Sequence, residues 1–427
     1  MPTIDRTQPP KINANFHFKL QKPTICKLEN GMGLYYFENQ NLNLIHFTVR
    51  VKAGSLFETE KGISRATYLL LQESAKDKSA AEVEDFLSFW GSSFEVAVSQ
   101  EFVSLNFVIP KTNCEQVLPF IFDFIRFPAF DEDVLLHYKK RKLKELEYHR
   151  STTSYCAEQM IYTALVNQDI PAGKILENAD INALTVEKLT VYHARTFCSE
   201  NTNIFIAGNY DLTIMNLLKC FCNTIPSFAA TCYPSMFTTK NAGKQLVDTK
   251  ENTVQSSIRI CRTSFDYQHP DRRNFSILNT LLGGYFGSRL MKNLREDKGL
   301  TYGIYSGCSY FGDGSIFYLS TDVNVNHTQE AIEECKKEMQ KLCNEIVSND
   351  ELLVVKQYLQ GSLLRKVDGT VDYMRNYMLW QCSGLDETEQ EEMMQAIEEV
   401  TPEMLYQLAS QYLNIKDFTI IISGQCG

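Results

Sequence analysis

The chain has 427 residues, 44% hydrophobic and 22% charged, with a formal net charge of −10. That is enough apolar material for substantial cores, and the length divides into roughly two to four domains. The acidic balance excludes the basic stripe of a nucleic-acid binder. No apolar run reaches the ~18 residues of a membrane-spanning helix.

The N-terminus, Met1-Pro2-Thr3-Ile4-Asp5-Arg6, lacks the apolar core of a secretory signal. Thirteen cysteines are scattered without a C-x-x-C pair. Both features predict reduced thiols and a cytoplasmic location.

Residues 1–22 read as a polar lead-in. Apolar residues at 25–28 and 34–37 flank Asn30-Gly31, the signature of a tight hairpin. A strand is predicted over 45–51. Ile63, Ala66, Leu69 and Leu70 recur at helical spacing over 62–73. Ser79 with Glu82 three residues on predicts a capping box opening a second helix. Residues 94–109 alternate like a strand pair. Helices follow over 114–125 and 132–166, the second long and charged. Thr185 opens another helix, with Glu187 in its first turn. Residues 203–207 read as a buried strand and 212–222 as a helix.

Residues 226–252 hold Pro226, Pro234, several Ser and Thr, Asn241 and Gly243, and read as a linker. Beyond it the chain repeats itself. Thr185-Val186-Glu187-Lys188-Leu189 matches Thr401-Pro402-Glu403-Met404-Leu405. Ile204-Phe205-Ile206-Ala207-Gly208 matches Ile420-Ile421-Ile422-Ser423-Gly424 at the same offset, and Asp133-Val134-Leu135 echoes Glu351-Leu352-Leu353. The expected fold class is α+β, duplicated: residues 1–225, a linker over 226–252, and residues 253–427.

The second copy contains Gly283-Gly284-Tyr285-Phe286-Gly287-Ser288-Arg289-Leu290, running on to Arg295, Gly299, Leu300 and Tyr302. A helix is predicted over 289–298, with Gly299 as its left-handed stop and a strand from Tyr302. Arg295 then lies in the last helical turn and Tyr302 at the strand start. A cation and a phenol on adjacent rigid elements suit a peptide carbonyl and the oxyanion it forms under attack. The alternative is a helix-end charge and a half-buried strand aromatic. The pair alone leaves both readings open.

The longer pattern resembles the C-terminal-half signature of the insulinase/pitrilysin family of zinc peptidases. It has Gly283-Gly284, Ser288-Arg289-Leu290, Arg295, then Gly299-Leu300 and Tyr302 seven residues after the arginine. The resemblance covers nearly the whole chain. It implies two homologous α/β-roll domains, each an antiparallel-rich sheet with flanking helices, facing each other as a clamshell. It also sets Gly283, Gly284 and Ser288 beside the substrate.

Catalytic members carry H-x-x-E-H on the first helix of the N-terminal half. Here the histidine slots fall on Arg65 and Leu69, and the glutamate slot on Tyr68. Arg keeps its proton, Leu has no donor atom, and Tyr is a poor base near neutral pH. Glu145 or Glu147 stands about where the third ligand would fall. None of the seven histidines pairs at i, i+3 or i, i+4. No metal site is expected in this chain. There is also no G-x-S-x-G elbow and no P-loop.

A lost zinc motif beside an intact Arg/Tyr pair implies the non-catalytic subunit of a two-component zinc peptidase. Arg295 and Tyr302 would act in trans on peptide held at a zinc-bearing homologous partner, with zinc in the partner only. A homodimer would form in the partner's absence. The alternatives are a stand-alone peptide-binding module, a structural subunit, or an enzyme with an unrecognised site. No nucleic acid and no membrane are expected as partners.

Overall fold

The computed structural model describes residues 22–73, 78–228, 236–237 and 243–425. The predicted lead-in lies almost wholly outside these residues. Six strands form the first sheet: β1 (Thr24–Lys27), β2 (Gly33–Glu38), β3 (Leu44–Val51), β4 (Ser93–Val98), β5 (Val103–Pro110) and β6 (Thr202–Gly208). Five form the second: β7 (Gln245–Asp248), β8 (Gln255–Ser264), β9 (Thr301–Phe311), β10 (Gly314–Asn324) and β11 (Thr419–Ser423).

Strand order is β1-β2-β6-β3-β5-β4 in one sheet and β7-β11-β8-β10-β9 in the other. In each, one parallel pair (β2 with β6, β7 with β11) adjoins antiparallel partners. The two sheets therefore share one topology, β1 being extra.

The repeat in the sequence has a physical origin at its two best-matched points. Thr185 and Thr401 both cap helices, Val186–Thr196 and Pro402–Tyr412. Their hydroxyls accept the N–H groups of Lys188 (3.2 Å) and Met404 (3.3 Å). Gly208 and Gly424 leave their strands at φ of +140° and +131°, and each lies against the opening residue of the neighbouring strand, Leu44 or Gln255. No other residue combines that backbone with that clearance.

Each sheet buries one face in its own core and part of the other against a helix of the opposite half. Leu34, Tyr36, Ile204 and Ile206 point into the core of the first half; Ile258, Ile260, Phe317 and Ile422 point into that of the second. That partial cover on the opposite faces is made by exchange. Helix Thr370–Cys382 of the second half lays Tyr373, Tyr377 and Trp380 on Tyr35, Phe37 and Phe205 of the first sheet. Helix Thr153–Leu165 of the first half lays Ala157, Ile161 and Leu165 on Cys261, Ile316 and Ile421 of the second. The starts of both helices are hydrogen-bonded across. Arg259 donates to Ser154 (2.7 Å), Ser257 to Thr153 (2.9 Å), and Asn39 to Thr370 (2.8 Å).

This exchange explains one departure from the expected elements. The helix predicted over 132–166 is two helices, Glu132–Ser151 and Thr153–Leu165, with Thr152 extended between them (φ −90°, ψ 136°). The Ser151 and Thr152 hydroxyls bond back to the carbonyls of Tyr148 and His149, competing with the helix ladder. The chain then turns onto the other sheet.

The linker also needs correcting. Gln245–Asp248 is β7, paired with β11 in register Ile420 to Gln245. Its Gln-Leu-Val-Asp alternation is too short to stand out from Pro- and Ser-rich surroundings. Met236 and Phe237 are also anchored: Asn167 donates its N–H to the Met236 carbonyl (2.8 Å), and Phe237 bridges to Val166. Residues 229–235 and 238–242 lie outside the described set.

Candidate functional site

The helix that would carry the metal ligands spans Ile63–Leu70. Glu58 caps it, accepting the N–H groups of Gly62 and Ser64 at 3.1 Å each. Burial pushes the Glu58 carboxyl up to about 7, against the opposing pull of Lys61 and those N–H groups. Of the three motif positions, Arg65 is exposed. Tyr68 is fully buried, its hydroxyl 2.8 Å from that of Thr196, and Leu69 packs on the core. Only Arg65 reaches the cavity beside the helix.

That cavity has a volume of about 590 Å³. It also settles which carboxylate stands opposite the helix. Glu145 lines it, whereas Glu147 is exposed elsewhere on the same helix. Glu145 is held by the Lys142 ammonium at 2.8 Å and the His149 ring at 3.3 Å. Burial raises its pKa, but these contacts outweigh it and the net shift is downward. Among the described residues no group of three His, Cys, Asp or Glu could hold a metal ion. The donor set does not fit zinc: a cation, a buried phenol and an alkyl group stand where two imidazoles and a base would be.

The second stretch departs from the regular helix expected over 289–298. Thr280–Gly284 and Met291–Asp297 are both π-helical turns, whose extra residue per turn is common at functional sites. Gly299 ends the second at φ +65°, as its position predicts. The stretch is tied down by carboxylates of two helices, Thr328–Asn344 and Asn349–Lys366. Arg289 makes a two-pronged pair with Glu351 (2.8 and 2.7 Å). Asn293 donates to Glu334 (3.1 Å) and Glu338 (2.7 Å). Lys298 lies 3.5 Å from Glu334.

Arg295 is exposed and has no carboxylate partner among the described residues. Its guanidinium sits over the Phe286 ring, 4.6 Å from the centroid, and Phe286 is itself exposed. Tyr302 is 92% exposed, so it is no packed strand aromatic. Ile304 pairs with Thr321 and Thr301 with Val323, which leaves Tyr302 and Gly303 together opposite Asp322. This is a β-bulge, which re-aims a side chain off the sheet. Neither Arg295 nor Tyr302 lines the cavity beside Arg65.

Of the expected substrate-contacting residues, Gly284 is exposed and the other two lie deeper. Gly283 and Ser288 are buried, and the Ser288 hydroxyl has no hydrogen-bond partner. A Cβ on Gly283 would sit 2.5 Å from the Ser306 hydroxyl and 2.9 Å from its backbone nitrogen. Gly283 is therefore what lets β9 approach the π turn. On Gly284 a Cβ would meet Asn279 at 3.2 Å. Gly283→Ala should destabilise the protein by about 1–3 kcal/mol, because the backbone nitrogen cannot swing aside. Chemical denaturation measures it, and an unchanged midpoint would refute the close-packing role.

Lys61, Lys174 and Phe286 were missed from the sequence. The cations at 61 and 65, one helical turn apart at the start of the motif helix, were the available signal.

The insulinase (peptidase family M16) model matches residues 38–180, and that of the peptidase M16 inactive domain matches 183–359. The uncharacterized zinc protease YmxG of Bacillus subtilis is 23% identical, over 80% of this chain and 84% of its own length. The non-peptidase homolog YmxG of Helicobacter pylori is 23% identical, over 77% and 76%. The peptidase M16 inactive domain from Pseudomonas fluorescens superposes with a TM-score of 0.87 at 19% identity, covering 95% of this chain and 99% of that one. With its duplicated fold, its Gly-Gly to Tyr302 stretch and a first helix that lacks the H-x-x-E-H ligands, the chain belongs to the insulinase family.

Proposed function

We propose that this chain is the substrate-binding, non-catalytic subunit of a two-component cytoplasmic zinc peptidase. One observation carries the reading. Of the two arginines in the signature stretch, Arg289 is consumed by a carboxylate, while Arg295 has no carboxylate partner among the described residues and lies over Phe286, and Tyr302 stands clear of the surface. A packing role would bury these groups; a role on another molecule requires them free. The Arg295 guanidinium would hold the carbonyl of a bound peptide, and the Tyr302 hydroxyl would donate to the oxygen as it gains charge. Gly283, Gly284 and Ser288 would set the shape of the wall behind them. The zinc-bearing partner would supply the activated water.

The test is co-purification with an H-x-x-E-H-bearing family member, followed by metal analysis and a peptide-hydrolysis assay. The heterodimer should carry one zinc, on the partner, and hydrolyse peptide. The dialysed isolated chain should carry none and be inactive. A tightly held zinc in the isolated chain, or hydrolysis by it alone, would overturn the reading. No described helix is long and apolar enough to cross a membrane.

A further inference from the structure

We propose that the cavity beside the Ile63–Leu70 helix is a binding site for the carboxylate of a peptide. This inference concerns a different site from the Arg295/Tyr302 surface and needs no zinc-bearing partner.

The argument is one of charge left over. Three cations line the cavity without a hydrogen-bonded or ion-paired partner among the described residues: Arg65 and Lys174, both exposed, and Lys61, whose charge acts on Glu58 without touching it. Two of the three carboxylates that share the wall are engaged. Both Glu58 oxygens accept backbone N–H groups, from Gly62 and Ser64. Glu145 is engaged by Lys142 and His149. Glu158, exposed like Arg65 and Lys174, is the one carboxylate of the wall without a hydrogen-bonded or ion-paired partner among the described residues. Four cations (Lys61, Arg65, Lys142, Lys174) thus face three carboxylates (Glu58, Glu145, Glu158), so the lining carries an excess of positive charge, which an anion would balance.

The shape and the rest of the lining narrow the anion to one on an organic body. About 590 Å³ is far more than a small inorganic ion fills and is ordinary for an organic ligand. Tyr155, Tyr162 and Phe311 line the same space and offer aromatic surface to apolar side chains. The Arg65 guanidinium matches a carboxylate with two parallel donors, a geometry that a lysine does not reproduce. An arginine at the first histidine slot has in this reading exchanged a metal ligand for an anion receptor. The wall would then hold the end or an acidic side chain of a peptide where relatives with zinc hold the scissile bond.

The experiment uses the full chain and fluorescence anisotropy with a short apolar peptide dye-labelled at its N-terminus. Three forms are compared: a free C-terminal carboxylate, the C-terminal amide, and the amide with one Asp inside the sequence. The free acid should bind about tenfold or more tighter than the amide, the scale of a charge-assisted hydrogen bond. Arg65→Ala combined with Lys174→Ala should erase that difference. Both side chains are exposed, so the fold should be kept, which circular dichroism and Tm check. Arg65→Lys should retain part of it. If the Asp-containing amide binds as tightly as the free acid, a side-chain carboxylate serves equally; if it binds like the plain amide, the site reads the chain terminus. Either supports the proposal. Equal binding of acid and amide by the unmodified chain, or a preference that survives the double substitution in a folded protein, would overturn it.

Discussion

Arg295→Ala and Tyr302→Phe should each lower kcat of the complex with the zinc-bearing partner by on the order of a hundredfold to a thousandfold, the usual loss on removing one oxyanion donor. The melting temperature of this chain should barely move. Tyr302 is 92% exposed, so removing its hydroxyl disturbs no packing. Arg295 would lose only its position over Phe286, worth about 0.5–1 kcal/mol at an exposed site. Arg295→Lys is the sharper variant. It keeps a cation over the ring but loses the planar fork, so activity should not return. A packing role predicts the opposite pattern, lower Tm with full activity per folded complex. Measuring Tm, co-purification and kcat on the same preparations separates the two. Full turnover in both single variants would end the assigned role.

The legible parts of this molecule are those where local chemistry decides the backbone. Asn30-Gly31 marks the β1–β2 hairpin because Gly31 must adopt φ +84° there. Ser79 and Glu82 form the reciprocal cap that their spacing predicts. The duplication was readable because threonine caps and glycine strand exits are dictated by the backbone itself. Tertiary decisions were not readable. Ala157, Ile161 and Leu165 look like any apolar helix face, and nothing in them says that the face belongs to the other sheet. The π turns were hidden for a related reason. Residues 289–298 have good helical propensity, and the contacts that accompany the π turns are tertiary: the approach of β9 at Gly283 in the first and the clamp on Asn293 from helix Thr328–Asn344 in the second. At the candidate site the lost metal ligands and the Arg295/Tyr302 pair were in view. The cavity was not, because Lys174 and Tyr162 reach it from parts of the chain far from Arg65.

Tyr377→Ala should destabilise the protein by about 3–5 kcal/mol, the cost of truncating a large aromatic in a core. Tyr377 is 3% exposed. Its ring lies 5.8 Å from that of Tyr35 and 5.4 Å from that of Phe37 on β2, and Trp380 is 6.4 Å away on the same helix. Truncation leaves a void between the exchanged helix and the first sheet. The 13-residue helix has little stability of its own, since isolated helices of that length are marginal in water. Loosening it uncovers Phe37 and Phe205, so the damage spreads into the half that does not contain the mutation. Ile161→Ala should act in mirror image on the second sheet, at about 2–5 kcal/mol. A chain of this length need not unfold in one step. Hydrogen exchange resolved along the sequence is therefore the right measurement. Tyr377→Ala should lower protection in β2 and β6 as well as in its own helix. Loss confined to residues 370–382, with β2 and β6 unchanged, would mean that the exchanged helix is an ornament on the first sheet and not part of what holds it.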